Sequence, residues 1–367
     1  MKRNSLLAGM AAIALLASHV TADHHGKGLK KGDVKLTSVG PIAFAPGGVL
    51  LVSDPKAATI YAVATDDQKA KGKINVKNVN QKIAALIGAN PDQVLIVDMA
   101  VNPASGNAYL AVSRGRDANA ASVIVKASSG GKLSTVSLKG VKMSKAVLPD
   151  PPKNGMVGRG RRRSNPRLSS ITDLSFTDGR VVVAGLANEE FASTLRAIPF
   201  PFKSVNKATT VEIYHGAHGK FETHSPIRTM VPFQSERETR LLAAYICTPL
   251  VEFPVSDLKP AAKITGKTIA ELGNRNRPLD MIVYQQKGKS YLLIANSSRG
   301  IMKVTTDNID RVKSITERVG GGGTAGLKYE TIEAWKGVAQ LDKVNDQLAM
   351  IIRQDGGAVN LETLPLP

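Results

Sequence analysis

Six times along this chain an apolar run is followed by a turn and a second apolar run that ends in polar residues. The copies begin at Val39 (VGPIAFAPGGVLLVSD), Val97 (VDMAVNPASGNAYLAVSRG), Ile171 (ITDLSFTDGRVVVAGLANEE), Ile227 (IRTMVPFQSERETRLLAAYICT), Pro278 (PLDMIVYQQKGKSYLLIANSSRG) and Lys336 (KGVAQLDKVNDQLAMIIRQDG). Turn-forming residues separate the two runs, as in Pro46-Gly47-Gly48, Pro103-Ala104-Ser105-Gly106-Asn107 and Asp178-Gly179. Short apolar runs bounded by such residues read as paired strands.

Strand repeats of about 40–50 residues predict an all-β, six-bladed β-propeller, with four antiparallel strands per blade and the innermost lining a channel. Residues 33–367 then form one domain, with inserts at 144–170, 214–226 and 320–330 and no strand alternation across 140–170. Blade one reads PIAFAP, VLLVSD, TIYAVAT and KINVKNV; blade five ends on RVKSITERV. Residues 81–88 (QKIAALIG) read as a short helix with Asn80 at its N-cap. The last blade stops after AVNLETLPL, one strand short. The spare strand DVKLTSV, residues 33–39, is expected to pair with residues 358–364 and close the ring, leaving no free edge.

The N-terminus has the plan of a secretory signal: Lys2 and Arg3, an apolar stretch over residues 6–17, and small residues ending at Ala22. Cleavage there leaves residues 23–32 as a flexible start and a periplasmic or secreted protein with no transmembrane span. The chain carries a net charge of +19, and +17 once Lys2 and Arg3 have left. That charge favours an anionic envelope surface or an acidic polymer as surroundings. Aromatic residues are only 4% of the chain, which argues against base-stacking platforms, and there is no specific nucleic-acid signal. The single cysteine, Cys247, permits no internal disulfide; its apolar surroundings LLAAYICT predict a buried thiol. CxxCH, GxSxG, HExxH and P-loop patterns are absent.

In a propeller the ends of the second strands and the interblade loops share one face. The candidate ligand-binding residues at the channel mouth are therefore Asp54, Arg114, Glu189, Arg299, Arg353 and Asp355. The interblade segments add Arg159 to Arg163, Arg167, the histidine segment 215–224, and Arg275 to Arg277. The run RGRRRSNPR offers forked guanidinium contacts to phosphate or carboxylate. The repeat plan resembles the superfamily of six-bladed propellers that includes NHL-repeat proteins, the TolB-like group and gluconolactonase-type metal hydrolases. The last of these open on E-G-P, whose Glu binds a divalent metal; here Val39-Gly40-Pro41 stands in that place and supplies no acidic ligand.

Histidines outside the signal fall in two groups. Cleavage after Ala22 would expose Asp23-His24-His25, whose amine, amides and imidazole suit Cu or Ni. The segment YHGAHGKFETHSP places His215, His218 and His224 near Glu222 and Arg228, an expected functional centre near the channel mouth that could take Zn or another divalent transition metal. The leading expectation is an exported propeller that binds a small molecule or protein partner on its loop-rich face, without a catalytic motif. The alternatives are a metal-dependent hydrolase or oxidoreductase with its site at the channel mouth, and a basic envelope-associated structural protein.

Overall fold

The structure, a computed structural model, describes residues 28–69, 72–116, 120–160, 163–247 and 249–367. The signal and Asp23-His24-His25 lie outside them, as do Arg161 and Arg162. Among the described residues the strands form antiparallel meanders, numbered here as blades in chain order. Blade 1 holds Ile42–Ala45, Val49–Asp54, Thr59–Ala64 and, as its outer strand, Val141–Val147. Blade 2 holds Val94–Val101, Ala108–Arg114, Ala121–Ser128 and Lys132–Thr135. Blade 3 is Asp173–Thr177, Arg180–Leu186, Ser193–Pro199 and Thr209–His215. Blade 4 is Thr229–Gln234, Thr239–Ala244, Pro249–Pro254 and Lys263–Leu272. Blade 5 is Pro278–Gln286, Lys289–Asn296, Gly300–Thr305 and Tyr329–Thr331. Blade 6 is Val338–Lys343, Leu348–Asp355 and Ala358–Pro365. The chain is a β-propeller. No helix among the described residues is long and apolar enough to cross a membrane.

The blades are not arranged in chain order. The innermost strand of blade 1 touches those of blades 2 and 3, and that of blade 2 touches that of blade 6. Contacts of 6 with 5, 5 with 4 and 4 with 3 complete the cycle. The cores agree. Ile42, Leu50 and Val52 of blade 1 pack with Tyr109 and Ala111 of blade 2. Leu51 and Ile60 of blade 1 pack with Leu174 and Val183 of blade 3. Leu110 and Val112 of blade 2 pack with Met350 and Ile352 of blade 6. Blade 2 thus sits between blades 6 and 1.

This order corrects the expected closure. Residues 33–39 do not reach 358–364. Asp54, wholly buried, accepts bonds from Thr37 N–H and the Thr37 and Ser38 hydroxyls, while Val34 N–H bonds Leu138 O. Lys30–Gly32 pairs with the start of Val141–Val147. These bonds hold the N-terminal segment on blades 1 and 2. The edge of blade 6 is covered instead by residues 74–76: Val76 bridges Leu361, and the Thr363 hydroxyl both receives from Ile74 N–H and donates to Ile74 O. The segment KINVKNV therefore closes blade 6 rather than blade 1. Asp67 explains how the chain gets there. Its carboxylate takes bonds from Ser105, Asn107 and Tyr109, carrying the chain across blade 2. Blade 1 takes Val141–Val147 in exchange, a strand inside the segment expected to lack one. Only Ala146 of that strand is buried, so little apolar alternation shows in its sequence.

Three smaller expectations also change. Blade 5 takes Tyr329–Thr331 as its outer strand, not RVKSITERV. The helix runs Val79–Ile87, so Asn80 lies within it; Asn78 precedes it and Gly88 ends it in the left-handed region. Val79, Ile83 and Ala84 form its buried face, packed on blades 2 and 6. Cys247 is half-buried at positive φ in the turn after Thr239–Ala244, not in the core.

Candidate functional site

Half-buried aspartates on the innermost strands tie neighbouring blades together around the channel. Asp98 of blade 2 accepts from Ile42 N–H of blade 1 at 2.7 Å, and Asp342 of blade 6 from Val101 N–H of blade 2 at 2.7 Å. Asp280 of blade 5 accepts from Leu341 N–H of blade 6 at 2.9 Å, and Asp173 of blade 3 from Met230 N–H of blade 4 at 2.5 Å. Burial pushes the Asp173 carboxyl up to about 7 and that of Asp342 up to about 6. Burial drives Asp98 and Asp280 well above the ordinary range, and repulsion from the facing aspartates adds to it. These groups are harder to ionise than surface carboxylates. Their oxygens are engaged by strand N–H groups, so their first role is to clasp strands.

Above them lies an open cavity of about 1260 Å3. Asp98, Asp173, Asp280 and Gln340 line its base, with residues 37–41, Lys56, Asp92, Arg116, Asn165, Arg228, Arg277 and Ser297 also in the wall. Arg228 and Arg277 stand just ahead of the innermost strands of blades 4 and 5. None of the ion pairs among the described residues uses either guanidinium. Arg228 Nε is buried without a hydrogen-bond partner. Burial lowers its guanidinium to about 10, and Arg277 adds repulsion. Two guanidiniums thus stand in one cavity wall with no ion-pair partner among the described residues, in a lining that also holds Asp98, Asp173 and Asp280.

The expected mouth residues sit elsewhere. None of Asp54, Arg114, Glu189, Arg299, Arg353 and Asp355 is in the cavity wall. Asp54 is the clamp on Thr37 and Ser38. Arg114 donates to Gly88 O, and Arg299 to Asn274 O. Arg353 donates to Lys336 O and Ala334 O beside Glu362. Glu189 helps to hold the charge on Arg196. Asp355 is exposed at a hairpin end. Their chain neighbours Pro55, Ser113, Arg116, Ser297 and Gln354 reach the cavity instead. Arg167 is structural, bonding Pro152 O and Lys56 O.

The histidines divide. His215 and His218 come together with Glu222: His215 Nδ1 lies 3.0 Å from Glu222 Oε2, His218 Nδ1 lies 2.7 Å from Oε1, and the ring centroids are 4.0 Å apart. His224 is exposed and faces Thr223 Oγ1. The group is carried by Thr209–His215 and the hairpin strand Lys220–Glu222, beside Lys263–Leu272. These are outer strands, and none of the three histidines lines the channel cavity, which corrects the expected position near its mouth. Burial holds His215 below its ordinary value against the pull of Glu222. For Glu222, burial is outweighed by the bonds from His215 and His218, and the carboxyl stays low.

The clasping aspartates were the signal that sequence reasoning passed over. An Asp recurs within the apolar first run of the copies as VDMAV, TDLSF, LDMIV and QLDKV.

No protein-family model matches the chain, and no curated protein does. Solved propellers are similar to it over most of their length. The PQQ-bound aldose sugar dehydrogenase of Streptomyces coelicolor is 11% identical, with 92% of this chain and 97% of that one covered and a TM-score of 0.32. The β-propeller domain of Myceliophteria thermophila Cps50 (Swd1) is 12% identical, with 89% and 83% covered and a TM-score of 0.36. A streptogramin B lyase is 10% identical, with 92% and 97% covered and a TM-score of 0.33. Likeness at this level carries no activity across.

Proposed function

We propose that this protein is an exported six-bladed propeller that binds a small anionic ligand at its channel mouth, through Arg228 and Arg277. The cyclic contacts of the innermost strands support the closed ring. The observation that carries the ligand class is the pair of guanidiniums in one cavity wall with no ion-pair partner among the described residues. Carboxylates and phosphate monoesters match guanidinium geometry in two-point contacts. The enzyme alternative has its best cluster, His215, His218 and Glu222, on the outer strands, so the cavity reads as a binding site. Export after loss of residues 1–22 and attraction of the +17 chain to anionic envelope surfaces belong to the same reading. Calorimetry of the purified protein against small carboxylates and phosphate monoesters tests the ligand class. Arg228→Met with Arg277→Met is expected to weaken the best binder by at least about tenfold, since one charge-assisted bond is worth about 1.5–3 kcal/mol. Unchanged affinity in the double variant, or no anion bound at all, would overturn the reading.

A further inference from the structure

Away from the cavity, the His215 hairpin wraps a second acid. Glu271, near the end of Lys263–Leu272, is buried, and Gly216 and Ala217 both give it backbone N–H bonds, that from Gly216 N at 2.5 Å. The approach is close: a Cβ on Gly216 would stand 3.0 Å from Glu271 Cγ and Oε1. The loop His215-Gly216-Ala217-His218 is thereby seated on the Glu271 carboxyl. Val319 N–H bonding Gly216 O closes it from the other side.

The polar accounting of this pocket does not balance. With Glu222 ionised, each imidazole donates its Nδ1–H to it, and each Nε2 is left as a lone-pair acceptor. His215 is 2% exposed, and its Nε2 has no hydrogen-bond partner. Glu271 is 1% exposed, and its Oε2 has no partner either. Both orphaned atoms are acceptors. Buried acceptors left without a donor call for a cation. Donor atoms of His215, His218 and Glu222 lie within 4.8 Å of one another, near enough for small side-chain shifts to bring them around one ion. A carboxylate bonded to the imidazoles is also how histidine ligands are commonly oriented.

We propose that His215, His218 and Glu222 form a binding site for one divalent transition cation of the zinc type, with Glu271 seating the 215–218 loop beside it, pinning the 215–222 hairpin to the outer strands of blades 3 and 4. Two imidazoles and one carboxylate suit zinc in tetrahedral coordination with a fourth position open. His224 is no part of it. The site is independent of the channel cavity, and the anion reading can fail without it.

The test uses the tag-free full chain, stripped with chelator and titrated with Zn2+ alone, then with Co2+ as a spectroscopic probe. The expected result is one zinc per chain, a rise in Tm on zinc addition, and the visible absorption of tetrahedral Co2+. Glu271→Gln and His218→Ala are each expected to weaken zinc binding on the order of 100-fold. His218 is exposed on one side, so its variant should fold; circular dichroism checks this. Replacing His24 and His25 by Ala should leave the zinc bound, which separates this site from the N-terminal segment. Absence of stoichiometric zinc, or zinc retained in folded His218→Ala but lost when His24 and His25 are replaced, would overturn the proposal.

Discussion

At the residue scale, the aspartates of the innermost strands matter most to the integrity of the ring. Asp280 accepts from Met281 N–H and from Leu341 N–H, so it serves its own strand and the next. Removing the carboxyl leaves buried donors unmatched, each costing about 1–3 kcal/mol. Asp280→Ala is therefore expected to lower unfolding free energy by about 2–5 kcal/mol in urea denaturation. A loss below about 0.5 kcal/mol, the size of an ordinary surface change, would show that the clasp contributes little. The arginines ahead of the same strands differ: their backbones are fixed by the strands, while their guanidiniums form no ion pair among the described residues.

At the element scale, the exchange of outer strands decides the closure. Ile74 and Val76 are buried with Leu361, and burying each such side chain is worth about 1.5–3 kcal/mol. The Thr363 hydroxyl adds two bonds to the backbone of Ile74. Thr363→Val keeps the shape and removes both. It is expected to destabilise the protein by about 1–3 kcal/mol and to speed amide exchange along residues 358–365. Unaltered exchange there would mean that residues 74–76 do not secure this edge. The exchange was poorly legible in sequence because a strand's alternation reports which side faces a core, not which edge it pairs with. KINVKNV alternates well, yet nothing local distinguishes blade 1 from blade 6 as its partner.

At the scale of the whole molecule, the clasping aspartates make stability depend on pH in an unusual direction. An unfolded Asp titrates near 3.9, whereas Asp173 and Asp342 titrate at about 7 and about 6 in the folded chain, and Asp98 and Asp280 higher than ordinary carboxyls. Between those limits the folded chain binds more protons than the unfolded one. These groups therefore favour folding most in weak acid, and their contribution falls as pH rises from about 4 to about 7. The denaturation midpoint is expected to drop across that window, with a smaller drop in Asp173→Asn. Asp67, held low by its hydrogen bonds against burial, works in the other sense and loses its contribution as pH falls below about 4. A midpoint that rises steadily from pH 4 to pH 7 would contradict the raised titration of these aspartates in the folded chain.

The sequence by itself determined the all-β propeller class, because period-two apolar runs separated by turn residues admit few other packings. It also located the first two strands of every blade and drew attention to His215, His218, Glu222, Arg228 and Arg277 as chemistry-bearing residues. The tertiary structure alone decided which of them meet. It placed Arg228 and Arg277 in one cavity wall, put His215 and His218 against Glu222 and near Glu271, and sent Asp54, Arg114 and Arg353 to structural bonds instead. It alone decided the ring order, with blade 2 between blades 6 and 1. The physical reason is the same in each case. Strand formation and facing are set by neighbours in the chain, whereas edge pairing, charge compensation and the convergence of side chains depend on groups as much as 289 positions apart, as between Ile74 and Thr363.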